Sequence, residues 1–217
     1  MSKVVVLRPE PGASATLARA KAAGIDAIAI PLFAIAPVAW DVPDANDFDL
    51  LLLTSANAAR HGGAGLAKLS GLPTYCVGEA TAAAARDAGL TVAGIGQAGA
   101  NALIELVPQY NRPLHLAGVA HQVIPGVRTV AVYDSRAIDP PPSLDALQGG
   151  VAMVHSARAG ARLAELVTAR SNIRIAAISP AAAAACGAGW RGMEAVEAPV
   201  DGALLALAGA LCQDRGR

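Results

Sequence analysis

The sequence predicts an α/β protein built as two similar parallel-sheet domains, a flavodoxin-like half and its duplicate, and three observations carry that prediction. Aliphatic runs of four to six residues alternate with longer Ala-rich amphipathic stretches and then a Gly or Pro, the pattern of βα units in a parallel sheet. The chain overlays on itself at a constant offset: DLLLLTSANAA (49–59) lies on GVAMVHSARAG (150–160), with Ser55 over Ser156 and Asn57 over Arg158. Hydrophobic residues make up 54% of the chain but aromatics only 3%, so the core is assembled from small aliphatic side chains. A length of 217 residues leaves room for two domains of about 100 residues each.

The elements follow in order. Strands are expected at 3–7 (KVVVL), 26–30 (DAIAI), 49–54 (DLLLLT), 73–77 (PTYCV), 91–95 (TVAGI), 113–116, 128–133 (RTVAVY), 151–155 (VAMVH), 174–178 (RIAAI) and 193–197 (MEAVE). Helices fill most of the gaps, near 13–23, 57–69, 79–88, 100–108, 157–169, 180–188 and 201–212. Two Pro-spaced stretches, IPLFAIAPVAWDVP (30–43) and YDSRAIDPPPS (133–143), read as extended crossovers. Ten strands are many for one sheet, and the repeat resolves them into two sets of five. Without a gap, CVGEATAAAARDAG (76–89) lies on AISPAAAAACGAGW (177–190), and ANALIELVP (100–108) lies on DGALLALAG (201–209). A weaker match sets AGIDAIAIP (23–31) beside PGVRTVAVY (125–133). Chain order then predicts a discontinuous domain of 1–33 plus 139–217, an inserted domain of 40–130, and linker strands at 34–39 and 131–138. Two such sheets joined by a two-stranded linker are expected to leave a cleft lined by the carboxyl ends of their strands.

Several function classes drop out. Seventeen basic and 17 acidic residues give zero net charge, which supplies no global field for nucleic acid or an anionic membrane. Three Cys at 76, 186 and 212 are too scattered for a disulfide framework or a CxxC metal site and suit a reducing compartment. The opening MSKVVVLRPEPG lacks a leader pattern and no apolar run approaches about 18 residues, so a cytoplasmic protein without membrane contact is expected. GIGQAG (94–99) fits G-x-G-x-x-G, but no acid appears between Glu105 and Asp134, so a Gly-rich strand-to-helix turn is favoured over nucleotide binding. His61, His115, His121 and His155 show no metal-ligand spacing, and no metal is expected.

The strand-to-helix turns are more informative. T-S-A-N (54–57) and H-S-A-R (155–158) put Ser55 and Ser156 where a strand gives way to a helix, which is first of all an N-cap. The same turns would aim helix N–H groups at a carboxylate or phosphate. Asn57, Arg158, Gly78, Thr81 and Ser179 would line the same rim. Arg8, straight after the first strand, is either a solvated surface residue or a cation on that rim. Tyr133, at the start of the returning linker, either donates a proton there or merely packs.

At this point the chain resembles the uroporphyrinogen-III synthase family. The carrying stretches are VVVLRPEPGASATLARAKAAGIDAIAIPLF, DLLLLTSANAA, PTYCVGEATAAAARDAG, VAVYDS, VAMVHSARAGARLAELV and RIAAISPAAAAACGAG, in the family's order over nearly the whole chain. The resemblance implies a monomeric, cofactor-free lyase that closes hydroxymethylbilane to uroporphyrinogen III, with loss of water and inversion of ring D. It implies Tyr133 as general acid and Thr81 as a family residue of the cleft. Arg8, Ser55, Asn57, Gly78, Ser156, Arg158 and Ser179 would hold the carboxylates of the linear tetrapyrrole. Transient contact with the preceding deaminase is implied as well. Two departures stand out: Ala181-Ala182 replace a Thr pair common in relatives, and 118–133 leaves little room for a helix that relatives fit there. The rival reading is a two-lobed binding protein of the same architecture without turnover.

Overall fold

A computed structural model describes residues 3–96 and 112–214. The helix expected at 100–108, with its repeat match, and Gly99 of the GIGQAG run lie outside the described residues. Strands are β1 (Val4–Val6), β2 (Ala27–Ala29), β3 (Phe33–Pro37), β4 (Leu50–Leu53), β5 (Thr74–Val77), β6 (Val92–Gly96), β7 (Pro113–Gly118), β8 (Arg128–Ala137), β9 (Val151–Val154), β10 (Arg174–Ala177) and β11 (Gly192–Ala195). Helices are α1 (Gly12–Ala22), α2 (Ala56–His61), α3 (Glu79–Asp87), α4 (Ala157–Leu166), α5 (Pro180–Ala185) and α6 (Asp201–Gln213). By contact, the chain divides into a first unit, Met1–Ala34 with Ala137–Arg217, and a second, Ile35–Arg136.

The first unit is a five-stranded sheet in the order β11-β10-β9-β1-β2, parallel throughout. Its central strands are buried along their whole length, as a sheet covered on both faces requires. Alternation then sorts the side chains. Val5, Leu7, Ala152, Val154, Ile175 and Ala177 form a core with Ala159 and Leu163 of α4 and Ala182 of α5. Their neighbours Val4, Val6, Val151, Met153 and Ala176 form the opposite core with Ala13 and Ala20 of α1 and Leu204, Leu205 and Ala208 of α6.

The second unit is a six-stranded sheet in the order β3-β8-β7-β4-β5-β6. Five of its strands are parallel neighbours. The edge strand β3 runs against β8: Ile138 N donates to Leu32 O and Val38 N to Val132 O, so one partner's number falls as the other's rises. Leu51, Leu53, Leu114 and Leu116 pack on α2 and α3 through Ala58, Ala82 and Ala85. The segments overlaid in the sequence occupy matching sheet positions. Reading β2-β1-β9-β10-β11 beside β8-β7-β4-β5-β6 sets β9 over β4, β10 over β5 and β2 over β8.

Three boundaries depart from the sequence reading. The strand expected at 34–39 within the crossover is β3, Phe33–Pro37, one residue earlier at its start and two at its end, and its backbone finds β8 as a neighbour. The helix expected over 57–69 ends at His61, and a 3-10 segment, Gly63–Leu69, continues after Gly63 takes a φ of +63°. Gly94 and Gly96 lie inside β6 rather than in a turn. A Cβ on Gly94 would meet the Tyr75 ring at 2.7 Å, so packing explains that glycine.

Candidate active site

In the first unit the predicted residues gather at the carboxyl ends of β1, β9 and β10. Ser156 and Ser179 are N-caps in extended backbone, accepting from Ala159 N at 3.1 Å and Ala182 N at 3.2 Å. Both hydroxyls therefore already satisfy a helix N–H. Arg158, in the first turn of α4, stacks its guanidinium 4.5 Å over the Phe33 ring. It makes no salt bridge among the described residues.

Arg8 is about one-third exposed, and its guanidinium is already paired. Its Nη1 donates to Asp201 Oδ1 at 3.0 Å, and the pair is partly buried. Asp201 opens α6 and collects further donors. Thr16 Oγ1 reaches Oδ1 at 2.9 Å, and His155 Nε2 reaches the same oxygen at 2.8 Å. Arg19 Nε and Nη2 lie 2.8 and 2.6 Å from Oδ2. Burial alone would raise the Asp201 pKa, but hydrogen bonds from His155, Thr16 and Arg19 outweigh it and hold the carboxyl down to about 2. Burial is also the leading cause that lowers the His155 pKa, so this imidazole is neutral at pH 7 and gives its Nε2–H to Asp201. Two arginines and one carboxylate leave the cluster one positive charge in excess.

In the second unit Ser55 caps α2, accepting from Asn57 N at 3.2 Å. Gly78 opens α3 at φ +76°, a backbone conformation that side-chain-bearing residues rarely take. Thr81, in the first turn of α3, is 5% exposed. Tyr133 lies in β8, packs against the core of its unit, and has the His61 ring tilted toward it at a centroid distance of 6.4 Å. Beside Thr54, His115 is only 2% exposed and bonds Thr54 Oγ1 at 2.9 Å through Nε2, with Thr129 Oγ1 3.4 Å from Nδ1. Burial, and then His121, push its pKa down to about 4, so it is a neutral structural group.

Asp201, Arg19, Thr16 and His155 escaped the sequence reading. Asp201 stands 193 positions from Arg8, and an acid in a helix's first turn is already explained by the helix dipole. Among the described residues no group of three or more His, Cys, Asp or Glu is placed to hold a metal ion, and no helix is long and apolar enough to cross a membrane.

Comparison with known proteins adds to this geometry. The family model described as Uroporphyrinogen-III synthase HemD matches residues 14–205. No match is found among curated proteins. The uroporphyrinogen-III synthetase of Helicobacter pylori superposes with a TM-score of 0.67 at 16% identity, covering 97% of this chain and 100% of its own. A mutant uroporphyrinogen III synthase of the extremely thermophilic bacterium Thermus thermophilus gives a TM-score of 0.50 at 17% identity, covering 99% and 100%. At such identities these two likenesses are of fold.

Proposed function

The chain belongs to the uroporphyrinogen-III synthase family, and on that premise we propose how its residues divide the reaction. The family match over 14–205 is the observation that carries the function: a lyase of tetrapyrrole biosynthesis that cyclises hydroxymethylbilane with loss of water and inversion of ring D. The hydroxymethyl C–O bond breaks and water leaves, giving an azafulvenium cation. The substituted carbon of ring D attacks it, and the resulting spiro intermediate reopens and closes on the other α-carbon of ring D, which then loses its proton, so that water is the only by-product. Unassisted closure gives the uninverted isomer, so holding the chain in the productive fold is the larger part of the task.

In this reading Tyr133 protonates the departing hydroxyl as general acid. The substrate carries carboxylates on every ring, and each flavodoxin-like unit contributes strand-end groups to them: Ser55, Asn57 and Gly78 from one, Arg8, Ser156, Arg158 and Ser179 from the other. Residues 34–39 and 131–138 act as linker strands between the units. Arg158 is the stronger cation candidate, since Phe33 orients it without neutralising it, whereas Arg8 shares its charge with Asp201. Arg158→Ala is expected to weaken product binding several-fold at low salt and distinctly less at high salt, with little change in stability. Titration of uroporphyrinogen III at two ionic strengths measures this.

The function itself is tested by supplying porphobilinogen and its deaminase, adding this protein, oxidising, and resolving the uroporphyrin isomers. Isomer III above the no-protein control is expected. Isomer I alone would leave the rival reading, a binding protein without turnover.

A further inference from the structure

We propose that Gly118 is a positioning residue for the reaction, and that a β-bulge opposite it seats the Tyr133 phenol; the inference rests on Tyr133 being the general acid. Strands β7 and β8 pair in step from Leu114↔Arg128 to Ala117↔Ala131. The next pair is Gly118↔Tyr133, so Val132 is skipped and β8 carries one extra residue. In a regular strand neighbouring side chains point to opposite faces. Here Val130 and Val132 face the core of the second unit, as alternation demands, and Tyr133 packs against that same core. The bulge therefore re-aims one side chain.

Glycine completes the seat. A Cβ at position 118 would stand 2.9 Å from both Cε2 and Cζ of Tyr133 and 3.2 Å from its hydroxyl oxygen. The phenol ring thus lies directly on the Gly118 backbone. That backbone is held on both sides: Val119 N donates to Tyr133 O at 2.9 Å, and the His121 ring nitrogen Nδ1 lies 2.8 Å from Gly118 O. With the main chain fixed, a methyl group at 118 is accommodated by the free end of the tyrosine. The hydroxyl is then displaced by at least a few tenths of an ångström, on a scale where about 1 Å costs an oriented catalytic group on the order of 100-fold in rate.

The experiment is a double-mutant cycle of Gly118→Ala and Tyr133→Phe, read in kcat, KM, melting temperature and a crystal structure of the Gly118→Ala protein. Gly118→Ala is expected to lower kcat for isomer III by about 10- to 100-fold, to leave KM within about twofold, and to melt within a few degrees of the parent. In the Tyr133→Phe background the same change should cost no further activity, because the hydroxyl that it misplaces is already gone. The crystal structure should show the Tyr133 hydroxyl displaced. An unchanged kcat, a full additional loss in the Phe background, or a loss that follows from unfolding of both Gly118→Ala proteins would each overturn the inference. A parental rate for Tyr133→Phe would instead remove Tyr133 as the acid, and the tyrosine's position in the Gly118→Ala crystal would still decide whether Gly118 seats it.

Discussion

Replacing Tyr133 with Phe is expected to slow formation of uroporphyrinogen III by two orders of magnitude or more, the usual size of a general-acid contribution. Phenylalanine keeps the ring, and with it the contacts to the core of the second unit and to His61. Only the hydroxyl is lost, so the melting temperature should stay within a few degrees. The product ratio is the more telling measurement. Hydroxymethylbilane closes without assistance to isomer I, so a variant that still binds it but cannot help the hydroxyl leave releases it to that route. Both the rate of isomer III and the III-to-I ratio should therefore fall. A rate within twofold of the parent would take Tyr133 out of proton transfer and leave it a packing residue.

The strands were legible because parallel sheets bury both faces: DLLLLT and VAMVH read as unbroken apolar runs, and β4 and β9 are buried at every position. The self-overlay of the sequence was legible for the same reason, since strands at matching positions of two covered parallel sheets need the same apolar pattern. The serines at strand ends were visible because an N-cap is a local requirement, met by a hydroxyl next to the first helical residue. Long-range polar contacts were not visible. Nothing in HSARAG marks His155 as a donor to a residue 46 positions later. The Tyr133 bulge was hidden because a one-residue register shift leaves composition untouched, and the sequence reading set position 118 only at the head of the 118–133 stretch. The end of α2 at His61 depends on Gly63 taking a positive φ, one choice among several that the run HGGAG allowed.

Removing the Asp201 charge should destabilise the first unit. Asp201→Ala leaves the His155 Nε2–H without its acceptor and the Thr16 hydroxyl with only the Gly12 carbonyl, 3.1 Å away, and it leaves Arg8 and Arg19 as like charges with no counterion between them. Breaking a partly buried set of this kind costs about 3 kcal/mol at neutral pH. Asp201→Asn keeps the shape and isolates the charge. The sign of its pH dependence follows from the lowered pKa. The folded value, about 2, lies below the ordinary 3.8, so the ionised group stabilises the fold above pH 3.8 and that stability is lost as pH falls toward 2. The difference corresponds to roughly 2 kcal/mol at pH 7. The gap between parent and Asp201→Asn should accordingly shrink to well under about 1 kcal/mol by pH 2. Burial of His155 adds acid sensitivity in the same direction from pH 6.5 downward, and because Asp201 partly offsets that burial the two proteins are compared in a His155→Gln background, which removes this titration from both. The chain has two tryptophans, and Trp40 belongs to the second unit while Trp190 belongs to the first. In a Trp40→Phe background, urea unfolding followed by Trp190 fluorescence therefore reports the unit that holds Asp201. A gap that stays constant between pH 7 and pH 2 would mean that Asp201 acts there by shape and packing, with no contribution from its charge.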